Sequence, residues 1–189
     1  MKKTGNLFSF YIILVPVALV VFIMNAGILQ PYVKAVTIGD NVLTATEFNY
    51  YYYSEIEDFL NKNSGKLSET GYNTAKKPKY QSYDESRTWE DYFKEQACKR
   101  LVRVLALNEM AEEAEYSFSE ADYQPVKDKL DEIEHYCAKY GITEDKYFKA
   151  YFGAGMTRER YTAQLRLEAQ AGCLRGLFGG QAGGYAHPN

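Results

Sequence analysis

The sequence predicts a mainly α-helical protein: an N-terminal transmembrane helix, a short β-hairpin, and then a domain of four to five helices. Three observations support this fold class. An uncharged apolar run begins at residue 7, and a turn cluster between β-branched residues follows it. Ser and Thr residues suited to N-caps then recur ahead of segments with helical apolar spacing. With 189 residues, 46% of them hydrophobic, the chain is long enough to bury one core.

Residues 7–29 are predicted to form a transmembrane signal anchor. The uncharged, mostly apolar run at 7–24 gives about 27 Å of helix at about 1.5 Å per residue, which crosses the hydrocarbon of a bilayer. Lys2 and Lys3 place the stub at 1–6 in the cytoplasm, so the main domain is expected on the extracytoplasmic side of the cell membrane. A cleaved signal peptide is the alternative. We favour the anchor because the apolar run exceeds the usual length of about 7–15 residues.

The segment after this anchor predicts a hairpin that leads directly into a helix. β-Branched residues at 36–38 and an apolar pair at 42–43 flank the turn cluster Gly39-Asp40-Asn41. Thr44 and Glu47 have the spacing of a capping box, which predicts a helix from there to about Lys62. Its expected apolar face consists of Phe48, Tyr51, Tyr52 and Ile56.

The rest of the domain is predicted to be one long loop followed by four helices. The loop, residues 61–87, is rich in Asn, Ser, Gly and Lys. Its basic run, Lys76-Lys77-Pro78-Lys79, is interpreted as a solvated surface, with contact to anionic lipid headgroups as the alternative. The helices are predicted to begin at the N-caps Thr88, Ser119, Thr143 and Thr157.

Four stretches carry a resemblance to a known family. They are Ile38-Gly39-Asp40 followed by TATEF, and then EYSFSEADY, GITEDKYF and GMTRERYTAQLR in that order. This order, over residues 33–171, resembles the N-terminal chaperone region of the SurA/PrsA-type extracytoplasmic foldases. Members of that family have a trigger-factor-like helical fold and usually carry a parvulin peptidyl-prolyl isomerase domain, for which this chain has no room.

The resemblance implies a membrane-anchored chaperone, or holdase, that binds unfolded or nascent exported polypeptides in a groove among its helices, without catalysis. Tyrosine suits adaptable peptide contacts, and four consecutive tyrosines cannot all face one core. The candidate peptide-binding residues are Tyr50, Tyr51, Tyr53, Phe148, Tyr151 and Phe152. The alternatives are a membrane-tethered adaptor that docks one specific envelope partner, or a fragment of a peptidyl-prolyl isomerase.

Residues 172–189 contain six of the fourteen glycines and are predicted to be a Gly-rich tail without helical periodicity. In the resembling family a helix continues here towards the parvulin domain. We therefore interpret the tail as the product of a truncation or a frame shift. The alternative is a short protein with a flexible tail.

The sequence offers no motif for catalysis, and we expect no cofactor, metal or nucleic acid partner. His135 and Cys137 are two residues apart, so they do not share a helix face and do not form a metal or nucleophile pair. The net charge of −3 gives no basic surface of the kind that nucleic acid requires. Cys98, Cys137 and Cys173 are expected to be structural thiols, although one pair could bridge in an oxidising envelope.

Overall fold

The hairpin and the first helix begin the part of the chain that the computed structural model describes, residues 32–182. Strand β1 (Lys34–Ile38) pairs antiparallel with strand β2 (Asn41–Thr44), and Gly39 adopts the positive φ of 56° that the turn requires. Helix α1 (Ala45–Lys62) follows at once. The Glu47 amide donates to Thr44 Oγ1 at 3.3 Å, and the Thr44 amide donates to Glu47 Oε2 at 2.8 Å. Both the hairpin and the capping box are therefore confirmed.

Four more helices complete the mainly helical domain: α2 (Trp89–Glu113), α3 (Gln124–Tyr140), α4 (Glu144–Phe152) and α5 (Arg158–Ala182). Thr88 forms a second capping box with Asp91, and the Thr143 side chain accepts from the Lys146 amide. Ser119, the predicted N-cap of the next helix, instead precedes a short 3₁₀ turn at Glu120–Tyr123, so α3 begins later than predicted. Helix α3 ends at Gly141 with φ of 62°.

The last helix extends further than the sequence predicts. Helix α5 continues past Ala171 to Ala182, so residues 172–182 are helical and the predicted Gly-rich tail is wrong over that range. Each glycine inside a helix destabilises it by about 1 kcal/mol relative to alanine, so the local sequence does not predict a helix here. Ala171 and Leu174 are nonetheless buried, and α5 packs along α2. Tertiary packing therefore supports the helix as far as Leu174.

The predicted transmembrane helix at 7–29 lies outside the described residues. Between residues 32 and 182, none of the helices combines the length and apolar character that a membrane span requires.

Tyrosine rings from α1 lie at the centre of the main core. Tyr50 and Tyr51 are 2% and 0% exposed, and they pack with Phe148, Phe152 and Tyr161 from α4 and α5. Their hydroxyls are satisfied across the core, because Tyr50 donates to Glu168 at 2.7 Å and Tyr51 donates to Gln164 at 3.1 Å. Burial, and then the nearby Glu168 carboxylate, raise the pKa of both phenols.

The predicted long loop is built around a second core. Tyr72 packs against Trp89 and Phe93 of α2, with the Phe59 ring in contact with all three. Two 3₁₀ turns, Leu67–Thr70 and Pro78–Tyr80, and a β-bridge between Ser82 and Thr88 organise the backbone. The segment is therefore not the structureless loop that its composition predicts.

Candidate functional site: an aromatic groove beside a lysine-rich loop

The structure buries four of the six residues predicted to bind peptide. Tyr50, Tyr51, Phe148 and Phe152 are 4% exposed or less, and they form the main core described above. A bound segment could reach these rings only if the helices separated. These four rings are therefore not accessible in the packed domain, and their role in binding peptide stays a prediction. Core and surface tyrosines look alike in a run of four, so the sequence does not distinguish them.

The other two predicted residues remain accessible, but on different surfaces. Tyr151 is 47% exposed, and its hydroxyl lies 3.1 Å from that of Tyr136, at a tyrosine patch that α3 and α4 share. Tyr53 is half-buried and lines a groove between α1 and the loop that follows it. The structure thus separates the predicted set into core residues, one patch residue and one groove residue.

The groove has an apolar floor that α1 provides. It encloses about 710 Å³. The floor consists of Phe48, Tyr52, Tyr53, Ile56 and Leu60, all of them half-buried. Four of these recur every fourth residue, so they form one stripe about 18 Å long at ~1.5 Å per residue. A strand rises about 3.3 Å per residue, so this stripe matches an extended segment of about five residues.

The sequence predicts three of these floor residues, Phe48, Tyr52 and Ile56, on one apolar helix face together with Tyr51. Tyr51 is buried, whereas the other three lie half-buried at the edge between the core and the groove. The helical period predicts that these residues form a stripe, but it does not predict which part of the protein covers the stripe. Nothing in the local pattern distinguishes a stripe that another helix covers from one that stays open.

The wall of the groove is the segment 72–79, which Gln81 fixes in place. Gln81 is buried, and its Oε1 accepts from the Asn73 amide at 2.7 Å. Its Nε2 donates to the carbonyls of Asn73 and Lys76 at 2.9 and 2.8 Å. One side chain thus satisfies three backbone groups that a loop of this kind leaves unpaired. The sequence does not predict this role of Gln81, since a lone glutamine in a polar loop carries no local signal.

Four lysines line the groove. Lys76, Lys77 and Lys79 belong to the wall, and Lys94 of α2 lines the groove in an ion pair with Glu90, with 2.8 Å between Nζ and Oε1. Burial, and then the Glu90 carboxylate, raise the pKa of the Tyr53 phenol, which keeps it a neutral hydrogen-bond donor over the physiological range. The groove therefore joins apolar rings to a basic rim.

A second concavity holds an ion-pair network that joins three helices. Arg100 of α2 reaches Asp58 of α1 at 2.8 Å and Glu55 at 3.3 Å, and it binds Glu168 of α5 through two nitrogens. Glu168 also accepts from Tyr50, so the network continues into the core. Its charges are directed at one another, which indicates a structural role.

The described part of the chain shows no arrangement suited to catalysis by metal or thiol. Between residues 32 and 182, no three His, Cys, Asp or Glu side chains lie together as a metal site would require. Cys98, Cys137 and Cys173 are all free thiols, so the bridge left open by the sequence is not formed. Burial raises the pKa of the Cys137 and Cys173 thiols, which disfavours the reactive thiolate.

Comparison of the chain with known proteins finds no match: no protein-family model, curated protein or solved structure corresponds to it.

Proposed function

We propose that this chain is a membrane-anchored extracytoplasmic chaperone domain that holds unfolded exported polypeptides without catalysis, as the resemblance to the SurA/PrsA-type foldases implies. The observation that carries the proposal is the groove with the aromatic floor on α1. Its side chains keep part of their apolar surface in water, and its length suits an extended segment. The membrane anchor at 7–29 belongs to the same proposal.

The groove chemistry fits transient holding better than tight, specific capture. Covering one half-exposed aromatic or aliphatic side chain contributes about 1 kcal/mol. Five floor residues therefore provide about 5 kcal/mol before the cost of ordering the client, which corresponds to dissociation constants of about 0.1 mM or weaker for one segment. An unfolded client offers many such segments, so weak contacts with rapid exchange suffice for a holdase.

The test measures how the full chain, held in phosphatidylcholine nanodiscs, affects the aggregation of a reduced and alkylated model protein. We expect suppression at near-stoichiometric levels. The groove variant Tyr53→Ser/Ile56→Ser should weaken this protection by about tenfold or more, because two floor contacts are lost. The matched control is Tyr140→Ser/Val102→Ser, which removes one tyrosine and one aliphatic side chain that are exposed outside the groove.

A folded chain without any effect on the client would overturn the holdase proposal, as would equal protection by the groove variant. The same nanodisc sample should not accelerate proline-limited refolding of a test protein. Acceleration would instead favour a peptidyl-prolyl isomerase.

The alternative function is a membrane-tethered adaptor that docks one envelope partner, and one observation favours it. Tyr136, Tyr140 and Tyr151 form an accessible patch on α3 and α4, away from the groove floor. Exposed tyrosines are frequent at protein interfaces. An adaptor would bind a single saturable partner, would lose it on Tyr140→Ser/Tyr151→Ser, and would be indifferent to unfolded clients.

A further inference from the structure

Three lysines on the rim of the groove have no carboxylate partner. Lys76, Lys77 and Lys79 are exposed, and none of them forms a salt bridge with a described residue. The fourth lysine, Lys94, is already paired with Glu90. The rim is therefore positive although the chain as a whole carries a net charge of −3. A basic rim on an acidic chain is a local feature that selects and steers anionic ligands.

The rim is held in a defined position. The three backbone hydrogen bonds of Gln81 fix the segment from Asn73 to Lys76. The Gln81 backbone continues this link, because its carbonyl accepts from the Trp89 amide at the start of α2. The backbone that carries these lysines therefore stays beside the α1 stripe, so the side of the apolar floor on which the charges lie is part of the site.

We propose that the groove selects extended segments that combine apolar side chains with acidic ones. The apolar side chains cover the stripe from Phe48 to Leu60, and neighbouring carboxylates meet Lys76, Lys77 and Lys79. In an extended chain successive side chains point to opposite faces, so a carboxylate beside an apolar residue can turn towards the wall. This inference rests on the proposed function and adds the class of client.

An anionic bilayer is the other surface that the lysines could meet, and the shape of the site disfavours it. The lysines border a concave groove of about 710 Å³ with its apolar stripe at the bottom. A flat headgroup layer reaches the rim but not the floor, so it would leave the stripe in water. A narrow extended segment reaches both surfaces at once. Charge and shape together therefore favour a peptide.

The experiment uses the full chain in phosphatidylcholine nanodiscs and three fluorescent peptides of one length with the same apolar residues. The flanking positions are Asp, Ser or Lys, and binding is followed by fluorescence anisotropy. We expect the acidic peptide to bind about tenfold more tightly than the Ser peptide at low salt, as three weak exposed charge pairs would give. We expect this ratio to fall to about twofold at 0.5 M salt, where exposed charges are screened.

The deciding variant is Lys76→Glu/Lys77→Glu/Lys79→Glu, which should invert the order so that the Lys peptide binds best. The matched control, Lys139→Glu/Lys146→Glu/Lys149→Glu, makes the same change of net charge on exposed lysines of α3 and α4. The control should leave the order unchanged. Circular dichroism and thermal unfolding establish that both variants are folded.

The outcomes separate this inference from the proposed function. If the three peptides bind equally well and the rim variant changes nothing, the acidic preference is overturned while the holdase proposal stands. If no peptide binds, the holdase proposal itself fails. If the rim variant lowers the capture of phosphatidylserine vesicles but leaves the peptide order unchanged, the lysines serve a membrane surface and the inference is overturned.

Discussion

Gln81 and Asn73 are joined by two hydrogen bonds between one side-chain amide and one backbone unit. The Asn73 amide donates to Gln81 Oε1 at 2.7 Å, and Gln81 Nε2 donates to the Asn73 carbonyl at 2.9 Å. The same Nε2 reaches the Lys76 carbonyl at 2.8 Å. This side chain therefore shapes the wall of the groove, although it lies eight residues along the chain from Asn73.

Gln81→Met should destabilise the domain and loosen the groove wall. Methionine keeps the volume of the side chain but leaves the Asn73 amide and two carbonyls without their partner, so we expect a loss of about 2 kcal/mol in the free energy of unfolding. Urea unfolding measures this loss, and hydrogen exchange should show faster exchange at the Asn73 amide. Gln124→Met, on the exposed surface of α3, is the control and should change stability little. Unchanged exchange at Asn73 would contradict the role given to Gln81.

Two threonines at the start of α1 should respond to valine in opposite directions. Thr46 is fully buried, and within the described residues its Oγ1 has no hydrogen-bond partner. Thr46→Val removes this unsatisfied group at constant shape and should stabilise the domain by about 1 kcal/mol. Thr44→Val removes the N-cap and should cost about 1 kcal/mol. Thermal unfolding compares the two variants, and a destabilised Thr46→Val protein would mean that the hydroxyl has a partner.

The network around Arg100 should contribute more to stability than an exposed ion pair of similar composition. Arg100→Met leaves Glu55, Asp58 and Glu168 without their shared cation, and Glu168 is only 17% exposed. We expect a loss of about 2–3 kcal/mol from removing one partner of a partly buried network. Arg87→Met is the control, because Arg87 pairs with Asp84 and Glu95 in water, and it should cost less than about 0.5 kcal/mol. Similar losses of stability for both variants in urea unfolding would contradict a larger contribution from the Arg100 network.

Alkaline pH should unfold the domain through its buried tyrosines. Burial raises the pKa of Tyr50, Tyr51 and Tyr161 above the ordinary value of 10.0, so their stabilising effect is complete below pH 10 and is lost as the pH rises further. Above pH 10 each such phenol lowers the free energy of unfolding by about 1.4 kcal/mol per pH unit, and the three together lower it by about 4 kcal/mol per pH unit.

The matched variant for this prediction is Tyr161→Phe, which removes one titrating group and keeps the ring. It should reduce the slope of stability against pH by about 1.4 kcal/mol per unit above pH 10. Urea unfolding between pH 9 and 11 supplies the slope, and the part of the tyrosinate absorbance that comes from the buried phenols should rise together with unfolding. An unchanged slope would contradict this prediction, because it would show that the Tyr161 phenol also ionises in the folded protein.

The sequence predicted the helices well because each helix start is a local event. Thr44 with Glu47, and Thr88 with Asp91, satisfy their own backbone amides within four residues. Gly141 ends α3 by the same kind of local geometry. The end of α5 could not be predicted in this way, because burial of Ala171 and Leu174 overrides the weak propensity of the neighbouring glycines.

The candidate site was predicted only in part. Tyr53 is a predicted peptide-binding residue and lines the groove, whereas the sequence predicts Phe48, Tyr52 and Ile56 only as part of the apolar face of α1. The composition of the basic run Lys76-Lys77-Pro78-Lys79 predicts only a solvated surface. Its place beside the α1 stripe depends on Gln81 and on the second core around Tyr72, which bring distant segments together.

The sequence by itself determined the hairpin, the capped starts of the helices and the tyrosine-rich character of α1, since each depends on residues within a few positions of one another. The tertiary structure alone decided which tyrosines are buried, and it placed the lysines along an apolar groove. The physical reason is that burial and charge placement depend on contacts between α1, the loop at 72–81 and α2. No local pattern in the chain encodes those contacts.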